Sequence, residues 1–218
     1  MPAKPKVEDE YSRLYKMIVT GKIMPNERIV EMDYAQMFNC NRANIRRALA
    51  RLEQDGLVVI EPFKGARVRL VTPEEAVETY EVRGALETLL VSQAAKLATE
   101  ADKAILREIL NKLYEARDNG DPMRVGTIGR QIREELWRIS SHKTALKFLT
   151  QINSQLIRSS YRSVMMPGRA DAIAQQLTEV VDHVSDGDAE KASEAMRQYH
   201  ASAREALVAA LQVKDYVF

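Results

Sequence analysis

Residues 29–70 read IVEMDYAQMFNCNRANIRRALARLEQDGLVVIEPFKGARVRL, and the order of signals in this stretch decides the fold of the N-terminal third. Glu31–Phe38 reads as a short helix, Asn39–Asn41 as a turn, and Arg42–Gln54 as a second helix stopped by Gly56. Two β-branched runs follow, Leu57–Glu61 and Ala66–Val71, on either side of a turn containing Pro62 and Gly65. Such runs about such a turn predict a hairpin. The whole predicts a winged helix-turn-helix.

Within the second helix Ile45, Leu49 and Leu52 recur at three- and four-residue spacing and give it one apolar face. Arg42, Arg46 and Arg47 therefore point away from the core. Asn41 is a good N-cap, so Arg42 and Asn44 fall in the first turn, the part of a recognition helix that reaches base edges in the major groove. An arginine fork suits the two acceptors of guanine, and Asn44 suits adenine. Solvation alone accounts poorly for arginines here, because cations at a helix start oppose its dipole. In the hairpin, Lys64, Arg67 and Arg69 bring positive charge to a tip that can lie along phosphates or enter the minor groove. The expected DNA-contacting set is Arg42, Asn44, Arg46, Arg47, Lys64, Gly65 and Arg67.

Charge divides the chain the same way. The 218 residues carry a net +1, but residues 1–71 hold thirteen Lys/Arg against nine Asp/Glu, or +4, and the remainder nineteen against twenty-two, or −3. Only the N-terminal part is set up for a polyanion. The composition, 45% apolar and 29% charged, is that of ordinary globular protein. With a single cysteine, Cys40, no disulfide framework or cysteine zinc site can form within one chain, as suits a reducing cytoplasm. The leading MPAKPK is not followed by an apolar core of the kind a signal peptide has, and no apolar run is long enough to span a bilayer. A cytoplasmic protein without membrane contact is expected.

After Val71 the pattern is helical throughout. Thr72-Pro73-Glu74-Glu75 combines an N-cap, a proline at the first helical position and a glutamate at the third, and opens a helix to about Leu97. Further helices are expected at Thr99 to Asn119, Met123 to Ile139, Ser141 to Arg162, Arg169 to Ser185 and Asp188 to Leu211, with breaks at Gly120, Pro167-Gly168 and Asp186-Gly187. The fold class is thus mainly α: a winged helix-turn-helix over 1–71 with a small β-hairpin wing, then an all-α antiparallel bundle over 72–218.

The run GKIMPNERIVEMDYAQMFNCNRANIRRALARLEQDGLVVIEPFKGARV (residues 21–68) resembles the DNA-binding domain of the GntR family of bacterial transcription regulators. In that family a helix opening with a small polar residue and arginine, with a second arginine four residues on, reads the operator. The resemblance places those roles on Arg42 and Arg46, and the wing glycine on Gly65. Ala43-Asn44 stands where many members have Thr-Pro, Arg47 where glutamate is usual, and Met32 at a DNA-contacting arginine position of some relatives. The second half, through YEVRGALE (80–87), LWRISSH (136–142), GDAEKASEAM (187–196) and His200, is similar to the C-terminal effector domain, or FCD domain, of the FadR subfamily in its shorter VanR-like form. This implies a homodimeric transcription regulator, repressor or activator, on double-stranded operator DNA, with a small carboxylate effector in the bundle.

Many such domains hold a divalent metal with one aspartate and three histidines. Counting from the quoted motifs, those positions fall on Gly129, Arg133, Leu177 and Tyr199, so no metal and no cofactor are expected. Arg130, Arg133, Glu134 and Trp137 share a helix face by their spacing. A guanidinium at Arg133 can hold a carboxylate by paired charge-assisted hydrogen bonds in place of the metal; Glu87, Glu134 or Glu135 are competing partners for it. Arg83, Arg130, Arg133, Tyr199 and His200 are the expected effector-binding set. Two rival readings stand beside this one: a DNA-binding dimer with an effectorless helical domain, and an enzyme with a nucleic-acid-binding appendage. Against the enzyme, the chain has no phosphate-binding glycine loop, GxSxG, HExxH or paired metal carboxylates.

Overall fold

A computed structural model describes residues 9–212; the side chains of residues 154–162 and the leading MPAKPK lie outside the described residues. The chain divides into two compact units, with the boundary between Val71 and Thr72.

The first unit contains α1 (Glu10–Val19), β1 (Arg28–Ile29), α2 (Glu31–Phe38), α3 (Arg42–Gln54), β2 (Val58–Glu61) and β3 (Gly65–Val68). Helix α3 starts where its cap directs: the Asn41 side chain accepts from the Asn44 N–H at 2.8 Å. Asn39 ends α2 in the left-handed region, φ 52°, and turns the chain through about three residues into α3. The apolar face of α3, Ile45, Ala48, Leu49 and Leu52, is buried against Leu14 and Ile18 of α1 and Phe38 of α2. The sheet is antiparallel in the order β1-β3-β2, with Val58 opposite Val68 and Glu61 opposite Gly65. Helix α1 and strand β1 were not expected from the sequence; β1 is two residues long, too short to show a period. The second wing strand also begins one residue earlier and ends three earlier than its β-branched run suggests.

Between β2 and β3 the Lys64 N–H donates to the Glu61 carbonyl at 3.1 Å. With Pro62 next and Phe63 at φ 64°, this is the signature of a type II turn. A side chain in that left-handed conformation costs about 1–2 kcal/mol.

The second unit contains α4 (Pro73–Leu97), α5 (Glu100–Asp118), α6 (Pro122–Ser140), α7 (Lys143–Val164), α8 (Arg169–Ser185) and α9 (Ala189–Gln212). Caps set the starts: Thr72 accepts from the Glu75 N–H, Thr99 and Asp102 form a reciprocal capping box, and His142 Nδ1 accepts from the Ala145 N–H at 3.2 Å ahead of α7's first turn. Helix α4 packs along α9 and α6, and α8 packs on α9. Gly84 permits the α4–α9 approach, since a Cβ there would sit 3.2 Å from the His200 ring. Leu106, Leu113, Val125, Ile132, Leu136, Leu177, Val180 and Met196 are fully buried in the interior of this bundle. No helix among the described residues is long and apolar enough to cross a membrane.

Candidate functional site

Two residue clusters stand out, one in each unit. The first lies on the exposed side of α3. Arg42 and Arg46 project from it, more than half exposed, as the apolar periodicity of that helix requires. Both reach back to one carboxylate, Glu31 at the start of α2. Arg42 Nε donates to Oε2 at 2.5 Å, and Arg46 donates from Nε and Nη2 to Oε1 and Oε2, both at 3.1 Å. The hydrogen bonds from Arg46, reinforced by Arg42, hold the Glu31 carboxyl below the usual carboxylate range. A rigid bidentate clasp of this kind fixes the plane of a guanidinium. Glu31 was missed as a site residue: an acidic residue in a first turn is an ordinary helix-start signal, and its pairing with residues eleven and fifteen positions on is made only by the turn of the chain.

Asn44 is placed differently from its expected role. Its Nδ2 donates to Glu10 Oε1 at 2.9 Å and its Oδ1 accepts from Arg47 Nη2 at 2.5 Å. The amide therefore ties α1 to α3 and holds Arg47, rather than presenting both its groups to a base edge. Cys40, in the turn, packs against the core of this unit, and burial followed by the nearby Glu10 pushes its thiol pKa up.

In the wing, Lys64 lies exposed beside Glu61, 2.9 Å away. Gly65 follows at φ 86°, a left-handed conformation that explains the glycine, since an added Cβ would meet nothing closer than Arg28 at 3.7 Å. Arg67 is not at the tip. It is partly buried on the hairpin body, 3.3 Å from Glu61 and donating to Asn26 Oδ1 at 3.2 Å.

The second cluster is buried in the bundle. Arg83 and Glu87 lie one turn apart on α4, almost wholly inaccessible, with Arg83 Nε donating to Glu87 Oε1 at 2.7 Å. Arg133 of α6 donates to the same oxygen at 3.1 Å, and His200 Nε2 of α9 lies 3.0 Å from Oε2. Burial alone would raise the Glu87 pKa, but Arg83 and then His200 outweigh it and hold the carboxyl below its usual range. The same attraction keeps Arg83 charged in spite of its burial.

Two guanidiniums approach the Tyr199 ring, Arg133 at 5.8 Å and Arg169 of α8 at 5.3 Å from its centroid. Tyr80 lies 5.3 Å from Arg83, and burial pushes its phenol up to about 12. Arg83, Arg133 and Arg169 are all buried, against Glu87 as the buried carboxylate. Three guanidiniums against one carboxylate leave buried positive charge in excess among the described residues. Arg83 Nη2, Arg133 Nε and His200 Nδ1 are buried without a hydrogen-bond partner among the described residues. Arg169, outside the expected set, hides in sequence as an ordinary surface cation at a helix start. Arg130 does not join the cluster; it is half-exposed and 3.8 Å from Glu134. Trp137 packs with Leu90, Ala145 and Leu149. A groove of about 310 Å³ between α4 and α9 reaches this cluster through Tyr80 and His200 and carries Arg197 and Arg204 on its rim.

The residues do not fit the divalent metal that many such domains hold. At the four positions stand Gly129, whose absent Cβ would meet Ile173 and Leu177, then Arg133, Leu177 and Tyr199. Among the described residues no three His, Cys, Asp or Glu side chains converge. Glu87 and His200 supply two donors, but they are ringed by guanidiniums, which repel a cation.

Comparison with known proteins agrees with this geometry. Residues 78–202 match the FCD domain, and residues 7–68 match the family described as bacterial regulatory proteins, gntR family. The chain is 27% identical over 185 residues to the HTH-type transcriptional regulator YdhC of Bacillus subtilis, covering 84% of this chain and 83% of that protein. It is 26% identical over 136 residues to the HTH-type transcriptional regulator McbR of Escherichia coli, covering 62% of this chain and 60% of that protein. Among solved structures it resembles E. coli McbR/YncC with a TM-score of 0.74 at 19% identity, over 88% of this chain and 92% of that one. A putative GntR regulator from Rhodococcus sp. RHA1 gives a TM-score of 0.72 at 21% identity, over 91% and 95%. At those identities the structural likeness is one of fold.

Proposed function

The chain belongs to the gntR family, as a DNA-binding transcription regulator with a C-terminal FCD domain, and from this premise we propose that it is a cytoplasmic homodimer whose operator affinity is set by a small organic acid bound at the Arg83–Arg133 cluster. The families and relatives it matches are regulators and not enzymes. The observation that carries the effector reading is the buried positive excess with unpartnered N–H groups at Arg83 Nη2 and Arg133 Nε. Buried donors without partners are costly unless something accepts from them. A carboxylate supplies both acceptors and charge, and an acid that also carries a hydroxyl would satisfy His200 Nδ1. The effector acts only if it binds the DNA-competent and incompetent arrangements with different affinity. The effectorless reading is favoured by one observation, that Glu87 already engages both Arg83 and Arg133. A thermal-shift screen over mono- and dicarboxylic acids separates the two: a specific acid raises the melting temperature by mass action, and no response across the panel favours the effectorless dimer.

On the DNA side, the reading assigns base contacts to Arg42 and Arg46, backbone contacts to Lys64 and Gly65, and supporting roles to Asn44, Arg47 and Arg67. A dimer presents two such readers to two half-sites, which gives specificity that one small reader lacks. Arg46→Ala is expected to cost about 1–3 kcal/mol in operator binding and to relax preference at one base pair per half-site. Lys64→Ala instead weakens binding to all sequences and makes the salt dependence shallower, because fewer counterions are released. Equal, sequence-independent losses in both variants, measured by binding titrations at several salt concentrations, would reduce Arg46 to a phosphate contact.

Glu31→Gln tests the clasp. Removing its charge frees two cations for any phosphate, so non-specific affinity rises while the ratio of operator to non-specific binding falls about three- to fivefold, the scale of a partly exposed ion pair. A ratio unchanged from wild type, in a competition titration against random-sequence duplex, would show that Glu31 does not orient the arginines.

A further inference from the structure

The wing ends in a fully exposed aromatic ring. Phe63 has a relative exposure of 108%, and its φ of 64° is one that glycine or asparagine usually occupies at this position of the turn. An aromatic side chain there gains nothing from the fold: it touches no core, and the backbone under it is strained. Pro62 and the hydrogen bond from Lys64 to Glu61 hold the turn closed beneath the ring. Lys64 follows at once, and Gly65, adjacent to the Arg28 guanidinium, comes next. Strain held at an exposed site is a reason to look for a partner.

Resting on the DNA-binding reading above, we propose that Phe63 is an apolar wedge that enters the minor groove of the operator and unstacks one base step in each half-site. The charge around the ring selects nucleic acid over protein: residues 58–69 carry Lys64, Arg67 and Arg69 against the single acid Glu61. A hydrophobic ring framed by cations matches a groove with an apolar stack inside and phosphates on both rims. Apolar side chains inserted from the minor groove part a base step and kink the duplex. Pyrimidine–purine steps yield most easily, so the wedge selects a TA or CA/TG step where the wing lands. The wing thereby contributes sequence preference without a hydrogen bond to any base, alongside the reading done by α3.

The test uses the full chain and duplexes it selects from a random-sequence pool, relabelled with 2-aminopurine at successive positions. Wild type is expected to raise the fluorescence at one step per half-site, beside the bases read by α3. Phe63→Ala abolishes that signal and weakens operator binding about tenfold, the scale of stacking one base on an aromatic ring. Its salt dependence stays that of wild type, since no cation is lost. Phe63→Trp retains both the signal and the affinity. The melting temperature of Phe63→Ala is equal to or above that of wild type, so lost folding does not mimic the result. Silent 2-aminopurine with wild type, while Arg46→Ala still relaxes specificity on the same duplexes, overturns the wedge and leaves the reader standing. A pool that enriches no sequence overturns the DNA-binding reading and the wedge with it. Unchanged DNA affinity of Phe63→Ala with altered self-association identifies a protein contact and overturns the proposal.

Discussion

Replacing Glu87 by Gln lowers the stability of the helical unit by about 3–5 kcal/mol, the cost of removing one partner from a buried charge cluster. The side chain is wholly inaccessible and its two oxygens serve Arg83, Arg133 and His200. A neutral amide keeps the volume but leaves the guanidiniums of Arg83 and Arg133 buried without a counter-charge. Urea midpoints at neutral pH measure the loss, and a change under about 1 kcal/mol would mean that the cluster relaxes into solvent. The pH profile gives an independent check. Glu87 has a folded pKa below the ordinary 4.5, so its stabilisation is fully present above that value and is lost as pH falls from there through the depressed folded pKa. Wild type should therefore lose stability in that acid window. The Glu87→Gln variant should show a flatter acid limb, because its position 87 binds no proton in either state.

Arg133→Leu is expected to weaken the response to the organic acid by 30-fold or more, the consequence of removing a buried charged partner worth about 2–5 kcal/mol, while operator binding by the free protein stays close to wild type. Arg133 belongs to the compact unit that begins at Thr72, and the reading arginines belong to the other. The substitution leaves Glu87 paired with Arg83 and His200, so its effect on melting temperature should be much smaller than that of Glu87→Gln. Titration uses whichever acid of the mono- and dicarboxylate panel shifts wild type most. A stable variant that still responds with wild-type affinity would remove Arg133 from the site. A large fall in melting temperature without ligand would make Arg133 a structural partner of Glu87.

These two residues show where sequence reading stops. Counting along the family-like motifs reaches Arg133 at a vacated ligand position, and the four-residue spacing of Arg83 and Glu87 lets them pair on one helix face. Arg169 and Tyr80 could not be added, because burial of a helix-start arginine depends on where another helix passes. Arg130 shares Arg133's spacing pattern and was expected beside it. The rotation of α6 in the bundle leaves it half-exposed instead. In the reader, the outward arginines followed from the apolar period of α3, whereas their carboxylate clasp did not.

The sequence by itself determined the winged helix-turn-helix, the mainly helical character of the described residues after Val71, and the direction in which Arg42 and Arg46 face. Caps, breakers and hydrophobic period act over a few residues, so the chain declares them locally. The tertiary structure alone decided that Glu31 collects two arginines, that the Asn44 amide serves Glu10 and Arg47, that Arg83, Arg133 and His200 gather on Glu87, and that Phe63 stands unburied on a strained turn. Each of these depends on the distance between segments far apart in the chain, or on the absence of any neighbour, and neither is written in local spacing.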